Sequence, residues 1–142
     1  GSVDYGDKKE VVQTNLVNDS YSLESLKYCP AYFQEYIDKD YEVRLTIVGD
    51  SVFPVKISSE NNVDWRAPDN NVKYELISIP EEIINKSKQL LSALNLRFGC
   101  LDFIIKDNNF YFLEVNTNGQ WLWLEKELNL NISEKILEEL GA

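Results

Sequence analysis

Alternating polarity in two pairs of short segments is the feature of this sequence that most restricts its fold. Apolar and polar residues alternate from Tyr41 to Ile47, and after a Gly-Asp break the pattern resumes over 51–57. Such alternation is typical of a strand with one buried face, and the break is typical of a hairpin turn. A second pair covers Gly99–Lys106 and Phe110–Asn116 around Asp107-Asn108-Asn109, a strong turn signal. The sequence therefore predicts two β-hairpins.

Helical periodicity follows each predicted hairpin. Pro80 suits the first turn of a helix, and the two glutamates after it favour the amino end of the helix dipole. Apolar residues then recur at helical spacing up to about Asn95. An aromatic segment over 120–128 is a short helix or a loop, and an amphipathic helix is expected over 132–140. The order hairpin, helix, hairpin, helix predicts an α+β fold, with a mostly antiparallel sheet packed with helices.

Composition excludes several functional classes. The chain has 14 Lys and Arg residues against 24 Asp and Glu, a net charge of −10, which argues against nucleic-acid and membrane partners. Neither a bilayer-spanning apolar run nor a leader is visible in it, so a cytoplasmic location is expected. Because the sequence contains no histidine, catalytic triads and histidine zinc sites are excluded. Cys29 and Cys100 stand alone, and we expect both to be reduced packing thiols.

Two carboxylates are predicted to face each other in the second hairpin. If the turn is centred on Asn108, Asp102 and Glu114 are equidistant from it, and their Cβ atoms lie about 5 Å apart. Asn116 lies two residues beyond Glu114 and points from the same face. The other face is expected to be apolar core, and it carries Leu101, Phe103, Ile105, Tyr111, Leu113 and Val115.

Opposed acids repel each other across a sheet unless they share a cation. Oxygen ligands from Asp, Glu and Asn suit Mg²⁺, which proteins usually hold with few carboxylates while substrate phosphates complete the shell. The spacing therefore indicates a magnesium site with a phosphorylated ligand. The alternative is a solvated strand face whose acids merely tolerate each other, and the charge pattern alone does not choose between them. A register slip of one residue would destroy the pairing.

The segments around this acid pair resemble a known enzyme family. Gly99–Phe103 (GCLDF) and Leu113–Gly119 (LEVNTNG) are similar to the carboxy-terminal half of an ATP-grasp ligase. In that family an Asp, a Glu and an Asn at this spacing ligate the Mg²⁺ ions that bridge the ATP phosphates. The resemblance therefore implies that Asp102, Glu114 and Asn116 hold Mg²⁺ and that ATP is the phosphorylated ligand.

Three further segments narrow the resemblance to one branch of that family. They are Phe33–Ile37 (FQEYI), Asp64–Arg66 (DWR) and Asn118–Glu125 (NGQWLWLE). Together they are similar to the microviridin-type, or graspetide, peptide-modifying ligases, which are relatives of the ligases that add glutamate to ribosomal protein. Most members of the branch carry Pro where this chain has Thr117, and we expect that departure to be mild.

The same comparison gives the first hairpin a role in nucleotide binding. ATP-grasp enzymes hold adenine on a hinge segment and the ribose hydroxyls on an acid seven residues later. Glu35, Tyr36 and Ile37 match the hinge, and Glu42 falls at that spacing. Without the resemblance, Glu42 would be interpreted as an ordinary outward residue of an alternating strand.

Cations are expected near the transferred phosphate, because charge spreads over it in the transition state. Arg44 lies on the Glu42 face, and Arg66 belongs to a cluster that resembles an arginine motif of the glutamate ligases. Both are candidates for holding phosphate or the acyl group. Lys56 is a third candidate, although a surface role is preferred for it. Trp121 and Trp123 could line a substrate channel, but core packing is the commoner role of an aromatic stripe.

The resemblance covers about residues 10–140 and implies two parts. Residues 1–38 would end the central ATP-grasp subdomain and include the hinge, and 39–142 would form the carboxy-terminal subdomain. The sequence contains no methionine, so we expect it to begin inside a longer protein. The family's Gly-rich phosphate loop and upstream lysines are not found in it. We therefore expect the isolated chain to be inactive and to need the amino-terminal part of its own chain as a partner.

The implied function is ATP- and Mg²⁺-dependent ligation through an acyl phosphate. In the resembling branch the carboxylate is an Asp or Glu side chain of a ribosomally made precursor peptide, and a hydroxyl or amine of that peptide attacks it. Ester or amide crosslinks result. Glutamate addition to a protein tail and a non-catalytic peptide-binding module are the alternatives, and self-association into a homo-oligomer is left open.

Overall fold

The computed structural model describes residues 2–4, 9–11, 14–20, 22–61, 63, 65 and 70–141. In chain order, the strands of this part are β1 Ser2–Asp4, β2 Lys9–Val11, β3 Tyr41–Val48, β4 Ser51–Ser59, β5 Val72–Leu76, β6 Phe98–Lys106 and β7 Asn109–Asn116. Its α-helices are α1 Glu81–Ala93, α2 Leu122–Leu128 and α3 Ile132–Glu139, and Glu24–Lys27 forms a 3₁₀ turn.

The larger sheet of the described residues is antiparallel throughout, with the strand order β5-β4-β3-β6-β7. Strands β1 and β2 pair separately as a small hairpin. Both predicted hairpins and the predicted α+β class are confirmed, and α1 begins directly after Pro80. Strand β5 was not predicted, because it follows a long polar loop and its alternation extends over only 72–76. Among the described helices, none is long and apolar enough to cross a bilayer.

The main core lies between the sheet and α1. Val43, Leu45 and Ile47 of the central strand β3 are at most 1% exposed, and they pack with the alternate residues of β6 and with Leu91 of α1. Burying an aliphatic side chain of this size contributes about 1.5–3 kcal/mol relative to exposure. The face of β3 that was predicted to be apolar therefore packs against α1. The polar residues of β3 lie on its other face.

The opposite face of the sheet is covered at one end. Val48, Phe53 and Ile132 form a second cluster there, and Phe98 and Trp121 pack against it. Helix α3 packs on β3, with Ile132 of its first turn fully buried. The remaining end of this face carries the polar residues of β3, β6 and β7, and it forms the candidate site.

A tight turn sets the register of the second hairpin near its tip. Asp107 and Asn108 both have positive φ, 50° and 62°, as a two-residue type I′ turn requires. Lys106 therefore pairs with Asn109, and Phe103 pairs with Phe112. The turn is one residue shorter than the centring on Asn108 assumed, so the pairing near the tip differs from the prediction.

A β-bulge then shifts the register by one residue between Asp102 and Phe103. Leu113 is the extra residue, and beyond it Asp102 pairs with Glu114 as predicted. The predicted apolar face is confirmed for Leu101, Phe103, Ile105 and Val115, but it was wrong for two residues of β7. Phe110 and Phe112, rather than Tyr111 and Leu113, share the Phe103 side of the hairpin, where their rings lie 5.9 and 5.7 Å from the Phe103 ring.

The bulge determines which face Glu114 occupies. If the register at the tip continued, Asp102 would face Leu113, and Glu114 would face Leu101 on the core side, because side chains alternate along a strand. The extra residue returns Glu114 and Asn116 to the face of Asp102. Bulges are over-represented beside active sites, where they re-aim side chains.

Candidate functional site

Three charged side chains lie in a line across the polar end of this sheet face. Arg44 of β3 is the register partner of Asp102 of β6, and Asp102 is the partner of Glu114 of β7. Paired residues of antiparallel strands point to the same face, and neighbouring strands lie about 4.8 Å apart. Arg44, Asp102 and Glu114, here called the charged row, therefore stand side by side.

The next row toward α3 brings in the third predicted metal ligand. Thr46, Cys100 and Asn116 are register partners across the same three strands, so Asn116 lies beside Glu114 on one face. The Asn116 Oδ1 atom accepts a hydrogen bond from the Asn118 backbone N–H at 3.2 Å. The structure thus brings the predicted ligands Asp102, Glu114 and Asn116 together on one face of one hairpin.

Arg44 and Asp102 form a buried ion pair. The Nη1 atom of Arg44 is 3.2 Å from both carboxylate oxygens of Asp102, and the two side chains are only 6% and 11% exposed. The Nε atom of Arg44 is buried and has no hydrogen-bond acceptor among the described residues. Within the charged row itself, one cation therefore stands beside two acids.

A loop packs closely against this pair. A Cβ atom on Gly119 would lie 2.5 Å from the Sγ atom of Cys100 and 3.1 Å from the Nη2 atom of Arg44. Only glycine allows this approach. The loop that joins β7 to α2 therefore packs on the row formed by Thr46, Cys100 and Asn116.

The Cys100 thiol is not a nucleophile in this setting. Burial raises its pKa, and its Sγ atom lies 3.5 Å from the Thr46 hydroxyl oxygen. A thiol with a raised pKa stays protonated near neutral pH, and only the thiolate attacks or binds metal. Of the two free thiols, Cys100 is buried as predicted, but Cys29 is exposed, so the packing role predicted for Cys29 was wrong.

The donor set suits Mg²⁺. Within the described part of the chain, no three Cys, Asp or Glu side chains converge closely enough to hold a metal by themselves. An ion here would take two carboxylates and the amide oxygen of Asn116, with other oxygens from a ligand or water, as is usual for Mg²⁺. Glu114 and Asn116 are exposed and Asp102 is 8% exposed, so two of the three ligands face solvent.

Glu42 lies on the same face as Arg44, two residues earlier on β3. It is only 9% exposed, and its Oε1 atom accepts a hydrogen bond from the Lys39 ammonium group at 2.5 Å. It is therefore not a solvated outward residue. The predicted hinge residues Glu35, Tyr36 and Ile37 precede it in an irregular segment, the first two exposed and the third half-buried.

Asp40, which follows the predicted hinge residues, is hydrogen-bonded to the tip of the second hairpin. Its backbone N–H donates to the Ile105 carbonyl oxygen at 2.8 Å, and its carboxylate accepts from the Asp107 backbone N–H at 2.8 Å and from Lys106 at 3.3 Å. The hydrogen bond from Asp107 lowers the pKa of Asp40. Sequence reasoning missed both Asp40 and Lys39. The contacts of Asp40 depend on how the two hairpins align, whereas the Lys39–Glu42 pair depends on the path of the segment before β3.

One predicted cation, Lys56, lies outside the charged row. Lys56 is the register partner of Val43 on the opposite, α1-covered face, and its Nζ atom lies 4.5 Å from the Tyr41 ring centroid. Pro54 does not interrupt the pairing of β3 and β4, which runs unbroken. Arg66 lies outside the described residues.

The two tryptophans of the 118–125 segment have different roles. Trp121 is part of the core, as predicted, 5.5 Å from the Phe98 ring and with its Nε1–H donating to the Ser133 hydroxyl. Trp123 instead packs against Tyr74 and Trp65. The resemblance named both of the segments that meet there, but no sequence signal placed them in contact.

Comparison with known families matches residues 9–140 to the RimK-like ATP-grasp domain. The tetrahydromethanopterin:alpha-L-glutamate ligase of Methanocaldococcus jannaschii is 32% identical over 124 residues, which are 80% of this chain and 40% of that protein.

Two solved structures share the fold closely. A Chryseobacterium gregarium RiPP-associated ATP-grasp ligase, in complex with ADP and a leader and core peptide, matches with a TM-score of 0.84 and 31% identity, over 96% of this chain and 44% of that chain. The macrocyclase MdnC from Microcystis aeruginosa MRC, bound with precursor peptide MdnA, matches with a TM-score of 0.83 and 31% identity, over 97% and 45%. The chain thus spans less than half the length of each of these relatives.

Proposed function

This chain belongs to the RimK-like ATP-grasp family, and from that premise we propose that it supplies the nucleotide and metal site of an ATP- and Mg²⁺-dependent ligase. The observation that carries the proposal is the charged row with Asn116 beside it on one sheet face. In the proposed reaction a substrate carboxylate takes the γ-phosphoryl group of ATP, and a hydroxyl or amine then displaces phosphate from the acyl phosphate.

Asp102, Glu114 and Asn116 hold the metal in this proposal. The bound ion would neutralise charge on the transferring phosphoryl group. Arg44 holds the Asp102 carboxylate in place from the other side and reduces its repulsion of Glu114. Its positive charge lies next to the metal position, where it favours the transferred phosphate electrostatically.

The nucleoside would lie on the β3 side of the metal. Backbone groups of Glu35, Tyr36 and Ile37 read the adenine edge, and the Glu42 carboxylate, which is paired with Lys39, accepts from the ribose hydroxyls. Arg66 is assigned to the phosphate or acyl group on the resemblance alone. Lys56 is not assigned to the nucleotide, since it lies on the opposite face of the sheet from Glu42 and Arg44.

We propose a ribosomally made precursor peptide as the substrate, with side-chain ester or amide crosslinks as the product. The Chryseobacterium gregarium ligase structure contains ADP and a leader and core peptide, and the MdnC structure contains the precursor peptide MdnA. The boundary at residue 38, the cytoplasmic location and the inactivity of the isolated chain belong to the same proposal. The amino-terminal part of the ligase would have to supply the rest of the site.

A second candidate function is the addition of glutamate to an acceptor. It is favoured by the 32% identity with a glutamate ligase. The two candidates share the ATP chemistry and differ in the attacking group and in the mass of the product, which makes them separable in one assay.

The test incubates the full-length protein with ATP, Mg²⁺, L-glutamate and the precursor peptide encoded beside it, and reads peptide mass by mass spectrometry. We expect the peptide to lose one water for each crosslink, only when ATP and Mg²⁺ are both present. A gain of one glutamate residue would instead support the second candidate. Unchanged peptide together with intact ATP would contradict both and favour a non-catalytic binding module.

A further inference from the structure

We propose that Gly119 is a positioning residue that holds the Asn116 amide oxygen in place for the metal. The inference rests on the proposed function, in which Asn116 is one of the three metal ligands. Gly119 is buried, whereas its neighbours Asn118 and Gln120 are both exposed. A buried glycine between exposed polar residues indicates a close approach of the backbone to another part of the molecule.

The close approach is to Cys100 and Arg44. A Cβ atom on residue 119 would lie 2.5 Å from the Sγ atom and 2.7 Å from the Cβ atom of Cys100, and 3.1 Å from the Nη2 atom of Arg44. Cys100 is fully buried in β6, and Arg44 is hydrogen-bonded to the Asp102 carboxylate. Because close-packed interiors resist such intrusion, a side chain at 119 would displace the loop instead.

Two hydrogen bonds connect this loop to Asn116. The Asn118 backbone N–H donates to the Asn116 Oδ1 atom at 3.2 Å, and the Gly119 backbone N–H donates to the Asn116 carbonyl oxygen at 3.3 Å. An amide oxygen has two lone pairs, so Oδ1 can accept the Asn118 N–H and still bind a cation. Since the amide nitrogen accepts no hydrogen bond, the contact also fixes which way the Asn116 amide is turned.

The other end of the loop is held by the core. The Trp121 ring lies 5.5 Å from the Phe98 ring, and its Nε1–H donates to the Ser133 hydroxyl at 3.1 Å. Asn116, by contrast, is exposed. A loop lifted at Gly119 would therefore move at its Asn116 end, and the amide oxygen would turn away from the two carboxylates of the charged row.

The first test measures how ATP turnover by the full-length protein depends on Mg²⁺ concentration. We expect Gly119→Ala to raise the Mg²⁺ concentration for half-maximal turnover about tenfold, as is typical when a group that orients a metal ligand is disturbed. Gly141→Ala is the control. A Cβ atom there meets nothing within 4 Å, but the φ of +78° strains any residue other than glycine. Gly141→Ala should therefore destabilise the protein and keep the Mg²⁺ dependence of wild type.

The second test asks whether the effect arises from the contact with Cys100. Cys100→Gly removes the two atoms that a Cβ atom on residue 119 would meet most closely. We expect the double variant Gly119→Ala, Cys100→Gly to need the same Mg²⁺ concentration as Cys100→Gly alone, within about twofold, because residues in contact are not additive. The full tenfold effect of Gly119→Ala in the Cys100→Gly background would overturn the proposal.

A third measurement separates this inference from the proposed function. The Asn116 side-chain amide signal is recorded by NMR without nucleotide or metal, and we expect Gly119→Ala to shift it and Gly141→Ala to leave it unchanged. If the wild type shows no Mg²⁺-dependent ATP turnover, the proposed function fails, and the role of Gly119 toward the metal fails with it. If the wild type turns over ATP but the Asn116 signal is the same in Gly119→Ala, only the present inference fails.

Discussion

Glu114→Ala should lower Mg²⁺-dependent ATP turnover by the full-length protein by about 100- to 1000-fold, equivalent to the several kcal/mol that a bound metal ion supplies. Glu114 is exposed on edge strand β7 and directly faces Asp102. Removing it deletes a proposed metal ligand and also relieves a repulsion between like charges. We therefore expect the free energy of unfolding to stay within about 0.5 kcal/mol of wild type, as for most surface substitutions.

The control for this prediction is another exposed glutamate of the same sheet. Glu75 of β5 is the register partner of Lys56 and lies on the opposite face. Glu75→Ala should leave ATP turnover and its Mg²⁺ dependence unchanged. Turnover by Glu114→Ala within twofold of wild type, at limiting Mg²⁺, would contradict the assignment of Glu114 as a ligand.

Arg44→Met is expected to lower the free energy of unfolding by about 3–5 kcal/mol, because it removes the Arg44 side of a buried ion pair. Both residues are buried: taken as whole residues, Arg44 is 5% exposed and Asp102 is 8% exposed. The double variant Arg44→Met, Asp102→Leu should recover most of that loss, since a buried ion pair is often replaced by apolar residues with little change in stability. Urea unfolding of the wild type and these two variants measures both effects.

An exposed ion pair supplies the control. Arg97 forms two hydrogen bonds with Glu139, at 2.8 and 2.9 Å, but its side chain is 73% exposed. Arg97→Met should therefore reduce stability by less than about 1 kcal/mol. Equal losses in the free energy of unfolding for Arg44→Met and Arg97→Met would show that the Arg44–Asp102 pair is not a buried structural contact.

Alternation predicted much of the architecture. The buried face of β3 followed from the spacing of Val43, Leu45 and Ile47, and the hairpin pairing of Asp102 with Glu114 followed from their near-equal distance from the turn. These features depend on local periodicity, which is visible in a single sequence. The candidate metal ligands could be named for the same reason.

The remaining features depend on geometry between elements. The prediction centred the turn on Asn108, whereas the turn of the structure is centred between Asp107 and Asn108. The β-bulge adds Leu113 to β7, and for that reason Asp102 still pairs with Glu114. The face of Lys56 and the Lys39–Glu42 pair require the register of β3 with β4 and the path of the preceding segment. The Trp65–Trp123 contact requires the placement of α2 beside β5. None of these is encoded in a local pattern.

The most direct measurement of the central claim is a titration of the full-length protein, labelled with ¹⁵N-asparagine, with substoichiometric Mn²⁺ and ATP. Paramagnetic broadening identifies the side-chain amide nearest the ion. We expect the Asn116 amide signal to broaden first and the effect to disappear in Glu114→Ala. An unchanged Asn116 amide signal would contradict the proposed metal site. So would broadening of the Asn108 or Asn109 signal instead, near the exposed acids of the hairpin tip.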